Sequence, residues 1–104
     1  MSLVKSWDAR IEAVEVRGNC GAGFVKGEKF VLSGKTGCID FKNSDRVCYW
    51  ALSDLMPALL GIHLGVDPKE LGMSNEKDVA YMCCSDPGPP YTPGGNVVFK
   101  ITKL

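Results

Sequence analysis

Two segments of the chain alternate between apolar and polar residues, as strands of a half-buried sheet do. In residues 10–17 the alternation changes phase near Ala13 and Val14, which predicts a β-bulge or a local twist. Residues 96–103 form the clearest strand pattern in the chain, with one apolar side and one mixed side that carries Val98, Lys100 and Thr102. The predicted core side of this second strand consists of Val97, Phe99 and Ile101.

Three further segments are candidate strands. Residues 29–32 form a short apolar run, and residues 37–41 form a weaker candidate between two turn-like sequences. Residues 79–84 are apolar on both sides, which is typical of a central strand covered on both faces. The connection from Ser85 to Asn96 contains four prolines and three glycines, so it is predicted to be an irregular loop.

A helix is predicted in the middle of the chain, because apolar residues there recur at helical spacing. The residues on its apolar face are Cys48, Leu52, Leu55, Leu59 and Ile62. Ser44 or Asp45 is the predicted cap, Pro57 is expected to kink or split the helix, and Gly65 is its predicted stop. Residues 67–72 predict a second, short helix, since proline follows a capping aspartate.

These elements predict an α+β fold. We expect an antiparallel or mixed sheet of four to five strands, with the kinked central helix and the short second helix packed on one side. The 104 residues correspond to a single domain, in which residues 1–8 are expected to be a poorly ordered N-terminal segment.

Charge and hydropathy limit the classes of partner. Twelve basic and twelve acidic residues give a formal net charge of zero and are interleaved, so we expect no nucleic-acid partner, which would require a basic patch. No apolar run is long enough to span a bilayer and no secretory signal is recognisable, so we expect no membrane association and a cytoplasmic location. A charge near zero favours a homo-oligomer or a protein partner.

The five cysteines are the sharpest chemical signal. Cys20 follows a predicted strand, Cys48 lies at the start of the helix, and Cys84 ends a strand. Thiolates that converge from such positions bind zinc, copper(I) or an iron–sulfur cluster, and Cys38 is a candidate fourth ligand. A thiol at a helix N-terminus is also more reactive. The chain has no Cys-x-x-Cys pair, however, and free cysteine is a common core residue, so structural packing is the alternative.

Other candidate residues are few. His63, at the end of the helix, is a candidate ligand or general base, with interaction at the helix C-terminus as the alternative. No phosphate-binding, nucleophile-elbow or metalloprotease motif is present. Tyr49 and Trp50, together with the proline-rich loop, form a candidate contact surface.

Several segments of the chain form an ordered set: residues 14–20, 26–30, 48, 51–52, 55–60, 65, 84–87 and 97–101. Taken together, they resemble a family of small cysteine-containing conserved-hypothetical proteins of anaerobic bacteria and archaea. The similarity covers nearly the whole chain after Trp7, and the resemblance implies a stand-alone domain with cysteines at Cys20, Cys48 and Cys84. It implies no activity, because the family has no established function. Ser85 and the longer loop at 88–95 depart from the family pattern.

The sequence therefore predicts a non-enzymatic accessory or binding protein with a cysteine-based metal, cluster or redox site. One alternative is a protein-interaction or self-assembling module with purely structural cysteines. A third reading is a small enzyme that uses His63 or a thiolate.

Overall fold

A computed structural model describes residues 7–104. These residues form strands β1 (Ala9–Gly18), β2 (Lys29–Leu32), β3 (Val79–Cys83) and β4 (Gly95–Lys103), with helix α1 (Tyr49–His63) between β2 and β3. Two short 3-10 helices, Phe41–Asn43 and Pro68–Leu71, flank α1 along the chain. The predicted α+β class is confirmed.

The four strands form one antiparallel sheet in the order β2-β1-β4-β3. The long central pair is β1 with β4, in which Ile11 lies opposite Ile101 and Gly18 lies opposite Gly95. The register of this pair shifts between Ala13 and Glu15, so the predicted bulge is confirmed. A bulge keeps apolar side chains on the core face although the sequence alternation changes phase.

The core lies between α1 and one face of the sheet. Phe99 of β4 is fully buried, and its ring packs edge-on against Phe24 at 5.3 Å and against Phe30 at 6.2 Å between centroids. Leu55 and Ile62 of α1 are also fully or almost fully buried. The opposite face of the sheet alternates polar and apolar residues and is partly exposed, as is usual for one side of an antiparallel sheet.

Two strand predictions need correction. Residues 37–41 form only an isolated bridge, between Ile39 and Leu32, because the side chain of Asp40 caps a 3-10 turn that leads the chain away from β2. Residues 79–84 are not a covered central strand, since β3 is an edge strand on which Tyr81 and Cys83 are exposed. Edge or central position depends on which strands pair at long range, and the composition of a single strand does not determine it.

The helix also begins differently from the prediction. Its N-cap is Cys48, and Ser44 and Asp45 instead accept hydrogen bonds from the N–H groups of Val31 and Lys29 at 2.9 Å. These side chains therefore satisfy the outer edge of β2, where there is no further strand to pair. Pro57 lies inside one continuous α1 and does not split it.

The predicted end of α1 and the predicted short second helix are confirmed. The C-cap of α1 is Leu64, next to the predicted stop at Gly65. The second helix is a single 3-10 turn, capped by the side chain of Asp67 and ended by Gly72 in the left-handed region.

The predicted poorly ordered segment 1–8 lies mostly outside the described residues. Within them, Asp8 accepts hydrogen bonds from the N–H groups of Gly34 and Leu104 at 2.8 and 2.9 Å. In residues 7–104, no helix has the length and apolar character needed to cross a membrane.

The aromatic cluster predicts where stability is concentrated. Phe99→Ala should reduce the free energy of unfolding by about 3–5 kcal/mol, because it leaves a cavity between the two neighbouring rings. Val98→Ala, on the opposite face of the same strand, should cost less than about 1 kcal/mol. Urea denaturation followed by circular dichroism measures both, and equal losses would contradict this account of the core.

Candidate functional site

Four element ends meet at one end of the sheet. Antiparallel pairing places the end of β1 beside the start of β4, where Gly18 faces Gly95. The end of β3 lies on the other side of β4, with Cys83 opposite Val98. The start of α1 reaches the same place, because Asp54 of its second turn accepts a hydrogen bond from the N–H of Ser85 at 2.9 Å.

A cavity of about 730 Å³ lies where these ends meet, and it is lined by three cysteines. Cys20 follows β1, Cys48 is the N-cap of α1, and Cys84 follows β3. All three are half-buried free thiols packed against the core. We call this space the thiol cavity. It brings together the three cysteines that the sequence analysis singled out as metal candidates.

Hydrogen bonds hold the sulfur of Cys84 and the backbone of Cys48 and Cys20 in place. The N–H of Val97 donates to Cys84 Sγ at 3.2 Å, while the N–H of Cys84 donates to the carbonyl of Val97 at 3.2 Å. The carbonyl of Cys48 accepts from Leu52 N–H at 2.9 Å. The carbonyl of Cys20 accepts from Gly23 N–H, also at 2.9 Å, and closes the turn after β1.

The walls of the thiol cavity are mainly apolar. Its floor includes Phe99 and Val97 of β4 and Ala51 of α1, all three buried. Phe24 closes one side, and Trp50, which is 69% exposed, stands at the rim. A cavity of this size, with apolar walls and a few polar or soft groups, has the general form of a small-molecule site.

Two carboxylates in the thiol cavity were missed by the sequence analysis. Asp54 is the only acidic residue of α1 and holds Ser85, whereas Asp86 organises its own loop. The hydroxyl of Thr92 and then the N–H of Gly88 donate to Asp86 and lower the pKa of its carboxyl. In the sequence, Asp54 could have been noticed as the single acidic residue of an apolar helix, and Asp86 as the first residue of an Asp-Pro-Gly turn.

Arg46 supports the rim on the side of the β1–β2 connection. Its Nη1 donates to the carbonyl of Ala22 at 2.7 Å, and its Nε lies 3.0 Å from a carboxylate oxygen of Glu28. The guanidinium also lies over the ring of Phe24, with its central carbon 5.9 Å from the centroid. These contacts tie the turn that carries Cys20 to the segment that leads into α1.

The other candidate residues lie elsewhere. Cys38 and His63 line a second cavity of about 510 Å³ at a different part of α1, so Cys38 is separated from the three cysteines of the thiol cavity. Tyr49 packs edge-on against Trp50 at 5.9 Å between centroids but does not line the thiol cavity. Across residues 7–104, no three histidine, cysteine or acidic side chains form a group that could hold a metal ion.

The Asp86 loop predicts a dependence on pH. Because the folded state lowers the pKa of Asp86, the ionised carboxylate stabilises the folded state at neutral pH, and this contribution is lost as the pH falls below about 4. Thr92→Val removes the main donor, so the pKa of Asp86 should rise toward its usual value. A carboxyl-carbon NMR titration measures this pKa. The Thr92→Val protein should also begin to unfold in acid at a higher pH than the wild type or the control Thr102→Val. An unchanged pKa of Asp86 in Thr92→Val would contradict the role assigned to Thr92.

Comparisons of the chain with models of known protein families, with curated proteins and with solved structures find no match. The resemblance to the small cysteine-containing proteins of anaerobes therefore stays a prediction.

Proposed function

We propose that this chain is a non-enzymatic binding protein whose ligand site is the thiol cavity. The observation that carries the proposal is that Cys20, Cys48 and Cys84, from three separate connections of the fold, line one cavity. The two remaining cysteines, Cys38 and Cys83, are exposed and lie outside it.

The size and walls of the cavity indicate the class of ligand. A volume of about 730 Å³ falls within the roughly 300–1,000 Å³ of small-molecule sites and greatly exceeds the space that one metal ion needs. The walls offer aromatic and aliphatic surface together with polarizable sulfur. We therefore expect a mainly apolar organic ligand that contacts the sulfurs.

The polar groups around the cavity favour binding over catalysis. Asp54 and Asp86 already accept hydrogen bonds from their neighbouring loop, so they maintain the shape of the site. The only histidine of the sequence, His63, lines the second cavity and not the thiol cavity. A general acid–base residue would have to lie within hydrogen-bond reach of the reacting group.

The free thiols also support a location in a reducing compartment, for which we propose the cytoplasm. All five cysteines are unpaired, although each of them has at least part of its side chain accessible to solvent. Such thiols persist where glutathione and thioredoxin keep cysteine reduced.

The proposed site predicts a selective pattern of alkylation. The measured quantity is the ratio of two labelling rates at each cysteine, that of the apolar reagent pyrenylmaleimide over that of the charged reagent iodoacetate. This ratio should be higher at Cys20, Cys48 and Cys84 than at Cys83. Apolar walls concentrate the first reagent and exclude the second, so we expect a difference of roughly tenfold. Peptide mass spectrometry gives the rate at every cysteine in one sample, with Cys83 as the internal control. Equal ratios at all sites would contradict the proposal.

A soft metal ion or cluster is the second candidate ligand, and the same convergence of three sulfurs favours it. Coordination would require these side chains to move, since no three-ligand group is formed in residues 7–104. Zinc and iron–sulfur centres are the thiolate sites that suit three such ligands.

Metal content after anaerobic purification separates the two candidates. If the ligand is a metal or cluster, the protein should contain it stoichiometrically and should lose it in Cys20→Ser, Cys48→Ser and Cys84→Ser, but not in Cys83→Ser. Elemental analysis and absorption spectra provide the measurement. Folded, metal-free protein from every preparation would exclude the metal candidate and leave the organic ligand.

A further inference from the structure

The outer side of α1 is an apolar surface without a partner in the described chain. Its exposed positions recur every three or four residues and form one continuous face, which we call the helix face. The helix face consists of Tyr49, Trp50, Ser53, Met56, Pro57, Leu60 and Leu64. Ser53 is the only polar residue of the helix face apart from its two aromatic residues, and none of the seven carries a charge.

This surface differs from the other outer surface of the fold. The open side of the sheet is mixed in character: Arg10, Glu12 and Lys100, all half-buried, lie on it beside Val98 and Tyr81. Helix α1, by contrast, is apolar almost all round, and its one carboxylate, Asp54, is turned toward Ser85 at the thiol cavity. A helix that is apolar on every side is normally buried.

The apolar surface is also large. Phe41, 72% exposed, lines the second cavity together with Met56 and Leu60, so it extends the helix face sideways. Six large apolar side chains on this surface average about three-fifths exposed, and at roughly 200 Å² per side chain they leave roughly 700 Å² uncovered. Patches on monomers rarely exceed about 600 Å². The six are Phe41, Tyr49, Trp50, Met56, Leu60 and Leu64.

We infer that the helix face is the interface of a homodimer, formed by two α1 helices that pack antiparallel across a two-fold axis. The uncovered area matches the roughly 800 Å² that each partner buries in a stable complex of standard size. A second copy suits the face because it brings no charge against an uncharged surface, and because a chain of zero net charge does not repel its own copy. A two-fold contact uses the same patch on both subunits.

Antiparallel packing fixes which residues meet. The aromatic end, Tyr49 and Trp50, would lie over Leu60 and Leu64 of the other copy, so a bulky end meets a smaller one. Met56 lies at the centre of the helix face and would therefore meet its own counterpart at the two-fold axis. A single charge placed at this position would confront an identical charge across the axis, which opposes association strongly.

Three variants test the inference by analytical ultracentrifugation. The wild type should sediment as a dimer, with twice the 11.2 kDa mass of the chain. Met56→Lys and Met56→Glu should each raise the dimer dissociation constant by roughly a hundredfold or more. An equimolar mixture of these two variants should recover the dimer, because opposite charges then meet at the axis. Tyr81→Lys, on the open side of β3, is the matched control and should remain dimeric.

The outcomes are distinguishable from one another. Circular dichroism checks that both Met56 variants remain folded, which their exposed position favours. A wild-type protein that sediments as a monomer at every concentration would overturn the inference. The same holds if this monomer binds phospholipid vesicles, because the helix face would then contact lipid and not a second copy. A dimer lost in Tyr81→Lys but not in the Met56 variants would move the interface to the sheet. Failure of the mixture to recover the dimer would overturn the antiparallel arrangement. Trp50 and Ser53 belong both to the helix face and to the lining of the thiol cavity, but the alkylation pattern is read at Cys20, Cys48 and Cys84, which lie outside the helix face.

Discussion

The pairing of β1 with β4 is the constraint on which the rest of the structure depends. It joins the first and last strands of the described chain, sets Ile11 opposite Ile101, and places Phe99 where the rings of Phe24 and Phe30 can pack on it. The same pairing sets Gly18 opposite Gly95, and a Cβ on Gly95 would overlap the carbonyl of Arg17. This close approach brings the turn that carries Cys20 beside the loop that follows Cys84. The thiol cavity is thus a consequence of the central strand pair.

Local patterns in the sequence were sufficient for elements whose periodicity is strong. The alternation in 96–103, its change of phase near Ala13, and the spacing of apolar residues in α1 all correspond to observed structure. The failures have a common physical cause, which is that long-range pairing decides them. Whether residues 79–84 lie at the edge of the sheet, and whether Ser44 caps a helix or bonds to β2, depends on neighbours that are distant in the sequence.

The candidate site was predictable only in part. Cysteines at the ends of elements could be read from the sequence, and three of them line one cavity. The sequence could not show that Cys38 lies in the second cavity, because an isolated bridge and a 3-10 turn replace the expected strand there. Nor could it assign Asp54 and Asp86, since their roles come from hydrogen bonds between loops. Helix α1 links the two proposed surfaces, with Cys48 facing the thiol cavity and Met56 at the centre of the helix face.

The central claim is that Cys20, Cys48 and Cys84 act as one site. Dibromobimane tests it most directly, because this reagent becomes strongly fluorescent only after both of its bromomethyl groups have displaced bromide on reaction with two thiols. We predict one fluorescent bridge per chain, mapped by peptide mass spectrometry to two of these three cysteines, with Cys38 and Cys83 carrying only single attachments. Protein that is alkylated singly at every cysteine, or bridged through Cys38 or Cys83, would contradict the account.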